Sequence, residues 1–509
     1  MSADRARQAS AAEGTSANTR ARASSGARAG HQSVAGAELG RVHLVGIGGA
    51  GMSGIARILL ARGVPVSGSD ARGSATAEAL RALGATVHIG HDAANVGSEV
   101  DTVVVSTAIR DANPEVVEAH RRGLRVLRRA AALAAVMAGR RGVAIAGTHG
   151  KTSTTSMLVT ALQACGADPA YAIGGDVIGT DGSAANAADG RGEAFVAEAD
   201  ESDGSFLLLS PYAAVVTNVE ADHLDQHGTA EAVALVFEQF VRRIDPDGFL
   251  VSCADDRGAR RTAVAAADAG LRVRTYGESP SADLRVTEVV EDAAGTTWRA
   301  VLDGRPLAGT EAVRVPVPGR HMALNAAAAL LTGLELGLPA AGLVEGIGRY
   351  GGVRRRFELR GEAGGVRVYD DYAHHPTEVA ATLRAARVVA GGARVLVAFQ
   401  PHLYSRTAAF AADFGTALAL ADEVVVLDVY AAREDPVPGV TGELVAAAVA
   451  LPTDRVRFEP DRGAVAGELA RRARPGDLVL TMGAGDVTAL APDVLAALAA
   501  RHPVPGAAR

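Results

Sequence analysis

Lysine is almost missing from this sequence: of 51 basic side chains in 509 residues, 50 are arginine and one, Lys151, is lysine. Arginine and lysine replace each other readily on a surface, but a compact ammonium at a phosphate site has no equivalent in a planar guanidinium. Lys151 is therefore marked for chemistry before any motif is read. Cysteine is scarce too, and Cys165 and Cys253 cannot build a disulfide framework. Aromatic residues make up only 4%. There is no apolar run of membrane-spanning length: Ala130 to Gly139 and Ala326 to Leu338 are alanine-rich, short or interrupted, and read as buried helices. The N-terminus has no apolar stretch of the secretory type, so the expected compartment is the cytoplasm. Nor is there an excess of one charge that would draw nucleic acid or an anionic membrane, since 51 basic residues face 58 acidic ones for a net −7. What is present, 48% hydrophobic and 21% charged residues, belongs to a globular protein whose partners are small molecules.

The length accommodates roughly three domains of about 150 residues each. Residues 1–39 are rich in Ala, Ser, Gly and Arg and are expected to be a disordered tail. Alternating strand and helix patterns then predict an α/β protein of three domains, with parallel sheets. A Rossmann-like domain spans 40–140. A central P-loop-type ATPase domain spans 141–350, with an antiparallel excursion between Leu284 and Val317 and a closing helix from His321 to Leu336. A third, Rossmann-like domain spans 351–501, and 502–509 form a second tail.

Gly46-Ile-Gly48-Gly49-Ala-Gly51 follows a strand and opens a helix, and Asp70 lies after the next strand, expected over Val64 to Gly68. The pattern admits NAD, but glycines at a helix N-terminus serve any nucleotide diphosphate. Gly147-Thr148-His149-Gly150-Lys151-Thr152 also lies between strand and helix, ends in the Gly-Lys-Thr of a P-loop and holds the only lysine. It is shorter than the loop of common kinases, and it predicts an ATP phosphate site. The stretch EADESDGSF carries Glu198, Asp200, Glu201 and Asp203, whose mutual repulsion is relieved by a cation; magnesium suits carboxylates beside phosphates. Thr217 to Asp225 place polar groups beyond another strand, and Glu198 and His223 could share a metal. In the third domain Asp370, Asp371, His374 and His375 cluster before Pro376, which can open a helix. Four-residue spacing puts His402 and Arg406 on one helical face, a pair suited to a carboxylate.

In this order, GIGGAGMSGIA, GTHGKTSTT, EADESDGSF, TNVEADHLD, PGRHMALNA, GVRRRFE, DDYAHHPTE, FQPHLYSRT and MGAGDV resemble the landmarks of the Mur ligase family, from about Arg41 to Val487. The resemblance implies an ADP-forming amide-bond ligase of peptidoglycan synthesis that joins L-alanine to the carboxylate of UDP-N-acetylmuramate through an acyl phosphate. ATP and Mg²⁺ would be its nucleotide and metal. Gly46, Gly48, Gly49, Gly51, Met52, Ser53, Asp70 and Ser106 would then hold the UDP-sugar. Gly147 to Ser153, Asn325, Arg356 and Asp371 would hold ATP, with Thr152, Glu198 and His223 on the metal. Tyr372, His402 and Arg406 would receive the amino acid, and Lys151, Glu198, His223 and His375 would be catalytic, with His374 a second candidate for the base. No nucleic acid or membrane insertion is implied, and a homodimer is the assembly to consider.

Met322 and Leu403 depart from residues common in the family, Asn and Arg. Some relatives use a carbamylated lysine at a second magnesium, a device this chain lacks. Two other readings stand beside this one. A recycling ligase would attach a whole peptide to the same sugar, and an NAD-dependent dehydrogenase would leave Lys151 and the acidic clusters without work.

Overall fold

The computed structural model describes residues 39–501, apart from 107, 180 and 181, so the expected tails fall almost wholly outside the described residues. The first sheet has five strands, β1 (Val42–Val45), β2 (Val66–Asp70), β3 (Thr86–Ile89), β4 (Thr102–Val105) and β5 (Arg125–Arg128), in the order β3-β2-β1-β4-β5. All neighbours are parallel. The central strands β1 and β4 are buried along their whole length, as a sheet covered on both faces requires.

Beneath this sheet lies a polar network. The fully buried Glu115 accepts a hydrogen bond from Ser69 Oγ at 2.5 Å and from Asn95 Nδ2 at 2.6 Å, while His43 Nε2 stands 3.6 Å away. Burial alone would raise the Glu115 pKa, but these partners outweigh it and lower it from 4.5 to about 2. A depressed carboxyl stabilises the fold above its ordinary pKa and loses that contribution as pH falls toward the folded value. We therefore expect about 3 kcal/mol of stability to disappear between roughly pH 4.5 and 2. Denaturant titrations should show Glu115→Gln already lacking it at neutrality; equal acid sensitivity in both proteins would refute this.

The second sheet has 11 strands. They are β6 (Arg141–Ala146), β7 (Ala170–Ile178), β8 (Ala184–Ala188), β9 (Ala194–Glu198), β10 (Ala213–Val216), β11 (Phe249–Cys253), β12 (Arg272–Gly277), β13 (Leu284–Asp292), β14 (Gly295–Leu302), β15 (Arg305–Pro306) and β16 (Val313–Val315). Its parallel centre runs β12-β11-β10-β6-β9-β7, and β13 to β16 form the antiparallel excursion that alternation predicts. Two features of this domain escaped the periodicity. The β7/β8 hairpin is antiparallel, and Gly174 and Gly175 interrupt the apolar pattern of β7. The helix Arg320–Glu335 does not close the domain, for Ala340–Gly348 follows and packs on it. Its glycine-containing sequence hides an amphipathic pattern.

The third sheet runs β17-β18-β22-β19-β20-β21, built from β17 (Glu358–Ala363), β18 (Val366–Asp371), β19 (Val395–Phe399), β20 (Glu423–Val426), β21 (Val456–Phe458) and β22 (Leu478–Met482). Only β17 is antiparallel, and its half-exposed, charged face gives a weak strand signal. The segment joining the second and third sheets is pinned to β7, where Ile178 N donates to Gly352 O at 3.0 Å. Every motif quoted in the sequence, except those of the helix Arg320–Glu335 and of residues 352–358, lies at or just beyond the carboxyl end of a strand. In open α/β sheets the crevice beyond the carboxyl ends is where ligands bind.

Candidate functional site

The glycine turn after β1 leads into the helix Ala50–Ala61. Gly48 N donates to Asp70 Oδ2 at 2.9 Å, so Asp70 braces the turn from the end of β2. Ser53 Oγ donates to Ala50 O at 3.0 Å and receives Asn186 Nδ2 at 2.9 Å, while Met52 is buried in the core and Ser106 lines the turn beside Gly46. A cation faces this helix start: a Cβ on Gly51 would come within 2.8 Å of Arg129 Cδ, and Arg129 Nη2 pairs with Asp200 Oδ2 at 3.0 Å. An arginine just after β5, the first residue of the helix Arg129–Met137, is what a diphosphate on the glycine turn would meet.

The P-loop after β6 needs both of its glycines. Gly147 has φ 134° and Gly150 φ 81°, and a Cβ would approach Thr217 Oγ1 at 2.0 Å and Asn325 Oδ1 at 2.6 Å. The segment after β10 holds the loop: His149 N donates to Asn218 Oδ1 at 2.8 Å, Thr217 Oγ1 to His149 O at 2.6 Å, and Glu220 N to Thr148 Oγ1 at 2.9 Å. Lys151 opens the helix Lys151–Ala164, and Ser153 is buried in its first turn. Lys151 Nζ donates to Gly147 O at 2.6 Å and Thr148 O at 3.1 Å and pairs with Glu201 Oε2 at 2.9 Å. Burial opposes its charge, yet Glu201, Asp200 and Glu198 together raise its pKa. Burial pushes Glu201 up to about 7 against the pull of Lys151.

Four acids in one loop divide their work. Phe206 anchors the loop, stacked on Phe240 at 4.5 Å and edge-on to Phe237 at 5.4 Å. Glu198 accepts from Thr152 Oγ1 at 3.1 Å and from Gly174 N at 2.8 Å, which sets a hydroxyl and a carboxylate side by side at the start of the P-loop helix. His223 is placed elsewhere than against Glu198: its Nε2 is 3.7 Å from Glu201 Oε1 and 3.6 Å from Asp222 Oδ2. Burial lowers its pKa, and its buried Nδ1 has no hydrogen-bond partner. A neutral imidazole with an orphaned nitrogen beside carboxylates fits a divalent cation, and the Thr152 and Glu198 oxygens are the donors magnesium favours.

The third domain meets this surface directly. Arg356 Nη2 donates to Thr152 Oγ1 at 3.4 Å. Arg406 is buried, and its Nε and Nη2 donate to Asp222 Oδ1 at 3.1 and 2.8 Å. Its Nη1 lies 3.3 Å from His402 Nδ1, but not through a shared helical face. His402 precedes the helix Tyr404–Leu418, which Leu403 caps with φ 71°, so the turn after β19 rather than a four-residue period brings the two together. Asp371 accepts from Phe357 N and Ala373 N, both at 2.7 Å, and so fastens the interdomain segment to the start of the HHPTE turn. Tyr372 lies under two guanidinium groups, those of Arg355 at 4.8 Å and Arg356 at 5.0 Å. Asn325 packs on Gly150, and its Nδ2 donates weakly to Met322 Sδ at 3.9 Å.

The two adjacent histidines part company. His375 caps the helix Pro376–Ala390 and stacks near His149 of the P-loop, with ring centroids 4.7 Å apart. His374 turns toward His402, at 6.0 Å between centroids. Burial pushes His374 down to about 3, so it is neutral. Its Nδ1 lies 3.1 Å from Tyr372 O and 3.2 Å from Glu378 Oε2; both can only accept, so Nδ1 carries the proton and Nε2 the lone pair. Arg129, Asn186, Glu201, Glu220, Asp222 and Glu378 were not singled out one by one as site residues. Asn186, in the middle of β8, carries no signal at all; the signal of the others is position next to a strand end or within a motif already chosen for other members.

Three family descriptions match in succession: "Mur ligase family, catalytic domain" over residues 41–141, "Mur ligase middle domain" over 145–333 and "Mur ligase, glutamate ligase domain" over 355–485. The chain is 61% identical over 467 residues to the UDP-N-acetylmuramate–L-alanine ligase of Kineococcus radiotolerans, covering 91% of this chain and 98% of that one. It is 62% identical over 464 residues to the enzyme of the same name from Saccharopolyspora erythraea, covering 90% and 93%. Among solved structures it resembles the UDP-N-acetylmuramate-alanine ligase of Thermotoga maritima, with a TM-score of 0.73, 27% identity and coverage of 90% and 98%. A murein peptide ligase from Psychrobacter arcticus shares the fold, with a TM-score of 0.67 at 24% identity.

Proposed function

The chain belongs to the Mur ligase family, and on that premise we propose how its residues join L-alanine to the carboxylate of UDP-N-acetylmuramate at the expense of ATP, in peptidoglycan synthesis. The observation that carries the reading is the meeting, across one crevice, of a lysine P-loop, the Thr152–Glu198 pair and a neutral His374 beside His402 and Arg406.

The UDP-sugar diphosphate lies on the Gly46 to Gly51 turn, opposite Arg129. ATP phosphates lie on the loop from Gly147 to Thr152, where Lys151 exchanges its contacts to Gly147 O, Thr148 O and Glu201 for phosphate oxygens. Thr152 and Glu198 would hold Mg²⁺, with His223 a further candidate donor, and the ion would supply positive charge that offsets the phosphates. Arg356, already reaching Thr152, adds a guanidinium on the same side. The sugar carboxylate attacks the γ-phosphorus and displaces ADP, giving an acyl phosphate, and catalysis here is positioning and charge stabilisation. The alanine amine then displaces phosphate. His374 Nε2, neutral and carrying a lone pair, accepts a hydrogen bond from the amine and orients it, the amine proton leaving with the departing phosphate; His375 serves the P-loop side instead. The amino-acid carboxylate is met by His402 and Arg406. Both cysteines are free thiols, which accords with a cytoplasmic enzyme, and no described helix is long and apolar enough to cross a membrane.

Incubation with UDP-N-acetylmuramate, Mg-ATP and single amino acids should release phosphate with L-alanine well above other side chains. Release that needs a tripeptide in place of alanine would transfer the chain to the recycling reaction.

A further inference from the structure

Between the P-loop and the third domain, three donors from three separate segments converge: His149 of the P-loop, Glu220 beyond β10 and His375 at the cap of the helix Pro376–Ala390. One potential ligand atom from each lies within 4.8 Å of the others. Glu220 Oε2 is the common corner, 3.5 Å from His149 Nε2 and 4.0 Å from His375 Nδ1. His149 Nε2 is buried and has no hydrogen-bond partner. His375 Nδ1 accepts only a long 3.4 Å contact from Thr377 N, which leaves its lone pair easily redirected.

We propose that His149, Glu220 and His375 form a binding site for a borderline transition-metal ion, Zn²⁺ being the best match, which clamps the third domain onto the P-loop. Two imidazoles and one carboxylate are a donor set for tetrahedral zinc with a fourth position left to water, whereas magnesium prefers oxygen ligands. Ligands about 2.0–2.1 Å from zinc stand about 3.4 Å apart, so modest side-chain rotation closes the site.

The surroundings already supply an outer shell. Glu378 Oε1 is 3.1 Å from His149 Nδ1, the carboxylate that orients a metal-bound imidazole through its other nitrogen. Thr377 Oγ1 donates to Glu220 Oε2 at 2.7 Å and fixes that carboxylate. Two carboxylates, Glu220 and Glu378, face the His149 ring from its two nitrogens and give the site negative charge that a cation offsets. It is separate from the Thr152–Glu198 pair, and it joins segments 71 residues apart within the central domain to a third 155 residues further on. Bound metal therefore withdraws His149 from the nucleotide and inhibits turnover.

The test titrates the full chain, stripped of metal and without nucleotide, with Zn²⁺ by calorimetry and with Co²⁺ by visible absorption. One equivalent of Zn²⁺ and an intense tetrahedral Co²⁺ spectrum are expected. His149→Asn and His375→Gln, each checked for folding by circular dichroism, should each weaken binding by more than the roughly 10–100-fold expected for loss of an outer-shell partner in Glu378→Gln. Absent Zn²⁺ binding, an octahedral Co²⁺ spectrum, or affinity unchanged in both histidine variants overturns the site. So does loss of binding in Glu198→Gln alone, which would place the ion beside the P-loop hydroxyl. Because binding is read without turnover, the result stands apart from the ligase reading.

Discussion

Lys151→Arg will abolish phosphate release while leaving the protein folded. The ammonium sits in a pocket closed by the carbonyls of Gly147 and Thr148 and by Glu201, and Gly147 and Gly150 are hemmed in by Thr217 and Asn325. No side of this short loop can retreat to admit a planar fork, and a guanidinium would direct its charge away from the phosphates. Loss of one such charge donor costs at least about 10²–10³-fold in turnover. Because Lys151 is the only lysine in the chain, a lysine-selective acylating reagent reports on this site and the α-amine alone, and Mg-ATP should protect against inactivation. An active Lys151→Arg enzyme would falsify the phosphate assignment.

Arg406→Ala will lower thermal stability and raise the alanine KM together. Burial alone would raise the Asp222 carboxyl, but the Arg406 guanidinium holds it well below the usual carboxylate range. Removing the arginine strands that charge in the interior, at about 3–5 kcal/mol. Stability and binding can be separated by replacing both partners. Asp222→Asn with Arg406→Gln restores a neutral, hydrogen-bonded pair and should recover much of the melting temperature but none of the alanine KM. Recovery of both would make the arginine a purely structural partner of Asp222. A rise in ATP KM with alanine KM unchanged would move it to the nucleotide site.

How far the residues alone reach differs from place to place. The glycine turn, the P-loop and the DDYAHHPTE turn are local objects, in which a strand end, a positive-φ glycine or a helix-opening proline forces a polar group to the carboxyl edge of a parallel sheet. Alternation with period two and 3.6 therefore sufficed for the three α/β domains, and the scarcity of lysine isolated Lys151 before any fold was known. The four-residue spacing of His402 and Arg406 brought them together for the wrong reason, since the helix begins only at Tyr404.

Tertiary structure alone decided the pairings. Arg406 meets Asp222 across 184 positions and His149 meets Glu378 across 229, distances over which no periodicity carries information. It also separated Glu198, beside Thr152, from Glu201, beside Lys151 and His223, and sent His374 and His375 to different neighbours. A sequence pattern specifies which face of a strand or helix is apolar and where the chain turns. Which charged groups then share a crevice depends on how whole domains pack, where burial makes an unpaired charge so costly that each one must find its partner.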